Sequence, residues 1–180
     1  MGYDSNRNTR VTKLPKLDPK YAAFIKHLRD KCSYYNVDLV FISEPVVYWD
    51  TDDNEGAKGY FHADGTDNVL VCTVNGDPDI WMGTLVHESC HMDQWIDDSE
   101  QWSTLNKAFS KFWGWLAGDL EVSKRKLQLY TRDIQLIELD CERRAIEKIK
   151  QFEDSIDTIY LPEQLEAMGV REQEIADAIK

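Results

Sequence analysis

Asp77-Pro78-Asp79-Ile80-Trp81-Met82-Gly83-Thr84-Leu85-Val86-His87-Glu88-Ser89-Cys90-His91-Met92 is the stretch on which the fold turns. Asp77 offers a helix N-cap and Pro78 the fixed φ of a first helical turn. A helix from about Pro78 to Ile96 is expected. His87 and His91 stand four apart on it, one turn along a single face, so both imidazoles can aim at one ion. Glu88 follows His87 by about 100° of rotation. It can reach a water on that ion without being a ligand. H-E-x-x-H on a helix therefore points to one zinc ion per chain and metal-assisted hydrolysis, with Glu88 as general base. Trp81, Met82, Leu85, Val86, Met92 and Ile96 cover several further sides of the helix, which predicts a central place between sheet and helices.

Working outward, Asp18-Pro19 opens an earlier helix to about Tyr35, with Tyr21, Phe24, Ile25, Leu28 and Cys32 at helical spacing. Strands are expected at Val37 to Ile42, Val46 to Trp49, Gly59 to His62 and Asn68 to Val74, the last two joined as a hairpin by residues 63–67. Beyond the H-E-x-x-H helix, Ser99 reads as the cap of a helix carrying Trp102, Leu105, Phe109, Phe112, Trp113 and Leu116 on one face. Gly118-Asp119 breaks it. A long helix follows from about Leu120 to Phe152, striped by Leu127, Tyr130, Ile134, Ile137, Cys141 and Ala145. Short helices are expected at 162–169 and 171–180. The order predicts an α+β domain over residues 18–180, a small mixed or antiparallel sheet packed on helices with a C-terminal helical tail. Residues 1–17 carry few apolar side chains and read as a flexible arm.

The chain has 33 acidic and 21 basic side chains, a formal net charge of −12. Such a surface repels phosphate, which argues against nucleic acid and leaves a peptide or protein as the expected partner. No stretch approaches the ~20 apolar residues of a membrane span. The first residues lack the apolar centre of a signal peptide, so a cytoplasmic location and no membrane partner are expected. Cys32, Cys72, Cys90 and Cys141 form no C-x-x-C pair and read as reduced, buried thiols. The acidic run Asp50 to Gly56 lacks the ligand series of a calcium loop.

A catalytic zinc needs a third protein ligand and an open position. His27 and His62 are the only other histidines, and carboxylates are the better pool. Glu138 borders the apolar stripe of the long helix, where a lone carboxylate is costly unless it meets a metal or a cation. Pairing with Arg143, Arg144 or a lysine is the alternative. Glu142, one turn further, is placed to accept from the free ring N–H of a ligand histidine.

These two stretches resemble the gluzincin group of zinc peptidases. Ile137-Glu138-Leu139-Asp140-Cys141-Glu142 stands where thermolysin-like members have N-E-x-x-S-D. The resemblance implies a zincin-like fold, Glu138 as third ligand and Glu142 as the acid supporting a ligand histidine. Ile137, Cys141 and Glu142 depart from that pattern, and so does Asp93, where zincins usually have an apolar residue. The runs from His87 to Trp95 and from Glu138 to Arg143 also resemble small metallopeptidases encoded by bacteriophages. The resemblance further implies substrate pairing along an edge strand, Gly59 to His62 or Asn68 to Val74. Tyr130, Tyr60 and His62 are the candidate oxyanion donors. A metal-stabilised binding protein without turnover is the competing reading. A fourth ligand from Asp93, His62 or Cys141 would favour it.

Overall fold

A computed structural model describes residues 14, 16–44, 47–48, 56–64 and 67–150 of the 180. The acidic run at 51–55, most of the N-terminal arm and the expected tail helices lie outside them. The elements are α1 (Pro19–Tyr34), β1 (Asp38–Ile42), β2 (Val47–Tyr48), β3 (Gly56–Ala57), β4 (Gly59–Ala63), β5 (Asn68–Thr73), α2 (Pro78–Asp97), α3 (Ser99–Leu116) and α4 (Lys124–Lys150). The chain is thus α+β, with a three-stranded mixed sheet ordered β1-β5-β4 and a small antiparallel β2–β3 pair. β1 runs parallel to β5, and β4 runs antiparallel to it. Among the described residues no helix is long and apolar enough to cross a membrane.

Strand alternation divides the sheet into two faces. Phe41, Phe61, Ala63, Leu70 and Cys72 join the main core, whereas Val40, Ile42 and Val71 form a smaller cluster on the other face, with Tyr60 packed against it. The main core takes Tyr21, Phe24 and Leu28 from α1, Trp81 to Met92 from α2, Trp102 and Leu105 from α3, and Cys141, Ala145 and Ile149 from α4. α2 packs against β4, β5, α3 and α4. Asp77 caps it by accepting from Asp79 N–H, with Pro78 in the first turn. Leu14 and Leu17, expected in the loose arm, pack against the core.

Four local expectations change. Asp98, not Ser99, caps α3, because its carboxylate accepts from Gln101 N–H at 2.9 Å. α4 starts at Lys124 and not near Leu120, because Asp119 and Leu120 still donate to Gly114 O in the turn that closes α3, where Gly118 takes φ +81°. The buried line of α3 is Trp102, Leu105 and Ala108, so Trp113 and Leu116 near its end are exposed. The β2–β3 pair uses Gly56–Ala57, too short a ladder to carry a period-2 signal. All four cysteines are buried and free.

Asp93 is a tie. Its carboxylate holds Lys31 of α1 and, at 2.6 Å, Lys148 of α4, and Lys148 also donates to Ser89 Oγ at 2.8 Å. The acidic residue that departs from the zincin pattern therefore links three helices. Gly59 sets the distance between sheet and α2. A Cβ there would lie 2.8 Å from Thr84 Cγ2, 2.9 Å from Val71 O and 3.1 Å from Glu88 Cγ. The backbone oxygen cannot give way, so Gly59→Ala should destabilise the protein by about 1–3 kcal/mol. A chemical denaturation midpoint equal to that of wild type would contradict this close contact.

Candidate metal centre

Two helices bring the site together. α2 presents His87 and His91, their rings 4.9 Å apart and nearly perpendicular at 86°. α4 presents Glu138, whose Oε2 lies 3.5 Å from His87 Nε2 and 3.6 Å from His91 Nε2. One carboxylate oxygen is shared by both histidines, and the salt bridge with Arg143 or Arg144 that the sequence left open is not formed at Arg144, which pairs with Asp140 and Asp97. The Glu138 side chain is 40% exposed, His87 20% and His91 9%. The site is therefore deep at His91 and open to solvent at Glu138.

A hydrogen-bonded chain orients His91. Gln94 Nε2 donates to Ile137 O at 3.0 Å and to Asp140 Oδ2 at 2.7 Å. Both partners are acceptors, which fixes the amide with Oε1 toward His91. Gln94 Oε1 lies 2.8 Å from His91 Nδ1, so that nitrogen carries a proton and donates. Nε2 is left facing Glu138. Gln94 thus does for His91 what Glu142 was expected to do. It stands one turn beyond His91 at i,i+3, a position the sequence reading does not single out.

Glu88 turns toward β4. It is buried, and its carboxylate accepts a hydrogen bond from Phe61 N–H. Burial raises its pKa, and the opposing pull of His91 and His87 does not cancel that rise. Burial also works against the charge on Glu138, but hydrogen bonds from His87 and His91 outweigh it and hold that carboxyl at about 2. Burial disfavours the charged form of His91, yet the Glu138 hydrogen bond and the Glu88 charge raise it to about 9. His87 is raised by the same partners against the same burial.

The oxyanion candidates separate. Tyr60 packs against Val40, Ile42 and Val71, on the sheet face away from α2. His62 shares its parity on β4 and lies 3.4 Å from Asp64. Strand alternation removes both from the Glu88 side. Tyr130 lies two turns before Glu138 on α4 and is partly buried.

The donor set suits a metal ion. Donors on a tetrahedron with arms of about 2.0–2.1 Å stand about 3.3 Å apart, close to the 3.5 and 3.6 Å between Glu138 and the two imidazoles. Cys141 adds a donor. His87, His91 and Cys141 each offer a ligand atom, all within 4.8 Å of one another. The Cys141 thiol donates to His87 O at 3.2 Å. Comparison of the chain with family models, curated proteins and solved structures finds no match.

Two measurements probe this electrostatic arrangement. Gln94→Ala should weaken metal binding about 10–100-fold by freeing the His91 ring; unchanged affinity in a calorimetric titration would remove Gln94 from that role. In metal-free protein, the raised His91 pKa gives stability that is full below its ordinary 6.5 and is lost as pH rises through about 9. The depressed Glu138 pKa gives stability present above its ordinary 4.5 and lost as pH falls through about 2. Thermal stability should therefore fall between pH 6.5 and 9, and fall less in His91→Gln. Identical pH profiles for the two proteins would contradict the pairing.

Proposed function

We propose that this chain is a zinc-dependent peptidase of the gluzincin type, built on a zincin-like arrangement, with His87, His91 and Glu138 as zinc ligands and Glu88 as general base. The observation that carries the reading is the single Glu138 oxygen shared at 3.5 and 3.6 Å by both histidines of the H-E-x-x-H helix. Zinc held there would supply Lewis acidity and a water acidic enough to be activated near neutral pH. The chain's own residues do the rest. Glu88, with its pKa raised by burial, accepts the proton of the attacking water and returns it to the leaving amine. Gln94 holds the His91 ring so that Nε2 faces the site.

β4 supports a peptide as substrate. Thr73 N–H donates to Lys58 O, so residues 58, 60 and 62 face β5 with their backbone groups. The N–H and C=O groups of Gly59, Phe61 and Ala63 point to the other edge, where Phe61 N–H meets Glu88 and Ala63 O already accepts from Asn106 Nδ2 at 3.1 Å. An extended peptide adding to that edge would run beside Glu88. The second reading is a closed, non-catalytic metal site, and the proximity of Cys141 is the observation that favours it.

The two glutamates should separate under mutation. Glu88→Gln should keep zinc and lower peptide hydrolysis at least ~100-fold, while Glu138→Gln should lose zinc and activity together. Metal analysis and cleavage of a peptide library decide between them. Wild type that holds no zinc when purified with zinc supplied would sink the reading. Zinc-loaded wild type that cuts no peptide would leave the closed site as the function.

A further inference from the structure

We propose that Cys141 is a displaceable fourth ligand of this centre, its thiolate closing the metal's coordination in the resting protein and giving way when substrate enters. The inference rests on the reading in which His87, His91 and Glu138 hold the ion. α4 presents Glu138 and Cys141 three residues apart on one face, opposite two histidines four apart on α2. Two helices thus supply four donors, and thiolate sulfur is a good zinc ligand. Cys141 is fully buried, whereas Glu138 is 40% exposed. The sulfur approaches from the interior, leaving the solvent side for substrate.

The other two expected closing ligands are engaged elsewhere. Asp93 is bound by Lys31 and Lys148, and His62 lies beside Asp64 on the far face of the sheet. Among the described residues, His87, His91 and Cys141 are the one group of His, Cys, Asp and Glu whose ligand atoms cluster this tightly. Cys141 also has a second resting place. When it binds the ion, the S–H bond breaks, a metal–sulfur bond forms and the proton passes to water. When it leaves, it regains a proton and donates again to His87 O, where it stands at 3.2 Å. The exchange costs His87 O a weak donor and breaks the thiol contact between Cys141 and Cys90.

Cobalt(II) replaces zinc in such sites and reports thiolate ligation by a sulfur-to-cobalt charge-transfer band in the near ultraviolet. The full-length protein loaded with cobalt should show that band at one ion per chain. Cys141→Ser and Cys141→Ala should bind the ion and lose the band, while Cys90→Ala should keep it, which excludes the neighbouring thiol as its source. Both Cys141 variants should hydrolyse peptide severalfold faster than wild type. A cobalt-loaded wild type without the band overturns the proposal and leaves the three-ligand site standing. A band that survives in both Cys141 variants overturns it as well. A band lost on substitution with no gain in hydrolysis overturns the displaceable role and makes the sulfur a permanent ligand. Failure of wild type to bind cobalt at all overturns the three-ligand reading, and this one with it.

Discussion

The crossing of α2 and α4 is the constraint on which the rest depends. At that crossing a carboxylate from one helix meets two imidazoles from the other, and Gln94 ties α2 to the backbone of α4 at Ile137. Charge on the buried imidazoles persists only when paired and hydrogen-bonded. The helices must therefore hold their register within a fraction of an ångström, and the surroundings are built to do so. Asp93 clamps Lys31 and Lys148 on one flank, and Arg144 joins Asp140 to Asp97 on the other. Apolar packing of Cys141, Ala145 and Ile149 fills the space between.

The sheet supplies the second fixed coordinate. Gly59 lets β4 approach α2 closely enough for Glu88 to reach Phe61 N–H. A carboxylate buried at a helix–sheet contact would otherwise be an expensive group. Here it gains a backbone donor and two nearby imidazoles, and what remains of the desolvation penalty appears as a raised pKa. On the proposed reading the same burial serves the chemistry, since it raises the carboxyl's affinity for a proton.

Much of this was legible in the sequence because it is local. Asp18-Pro19 and Asp77-Pro78 mark helix starts by chemistry confined to one turn. The His87–His91 spacing and the position of Glu138 on its helix follow from the 3.6-residue period alone. What failed to show was whatever depends on how two elements cross. The sequence points to Glu142 as the partner of a ligand histidine and passes over Gln94, because only the crossing decides which side chain meets a ring nitrogen. Tyr60 and His62 are different, because alternation already set them opposite Phe61. The apolar Phe61 was the better guide to which face of β4 is buried against α2. Trp113 and Leu116 continue the apolar face of α3 in sequence, but a helical stripe does not say where its partner stops.

The charges at the crossing also bear on how the proposed centre would take an ion. Glu88 and Glu138 bring two carboxyl groups to a small volume, and both imidazoles are raised toward their protonated forms by them. Protons drawn onto the imidazoles offset carboxylate charge. A divalent cation held by these residues would offset it in their stead, provided the protons leave. Metal binding on the proposed reading would then exchange protons for an ion, with one more proton released where Cys141 joins as thiolate. The side chains need not be recruited from solvent, because the hydrogen-bonded network already holds them together, so the cost of binding an ion there would fall on proton release and not on refolding of the site.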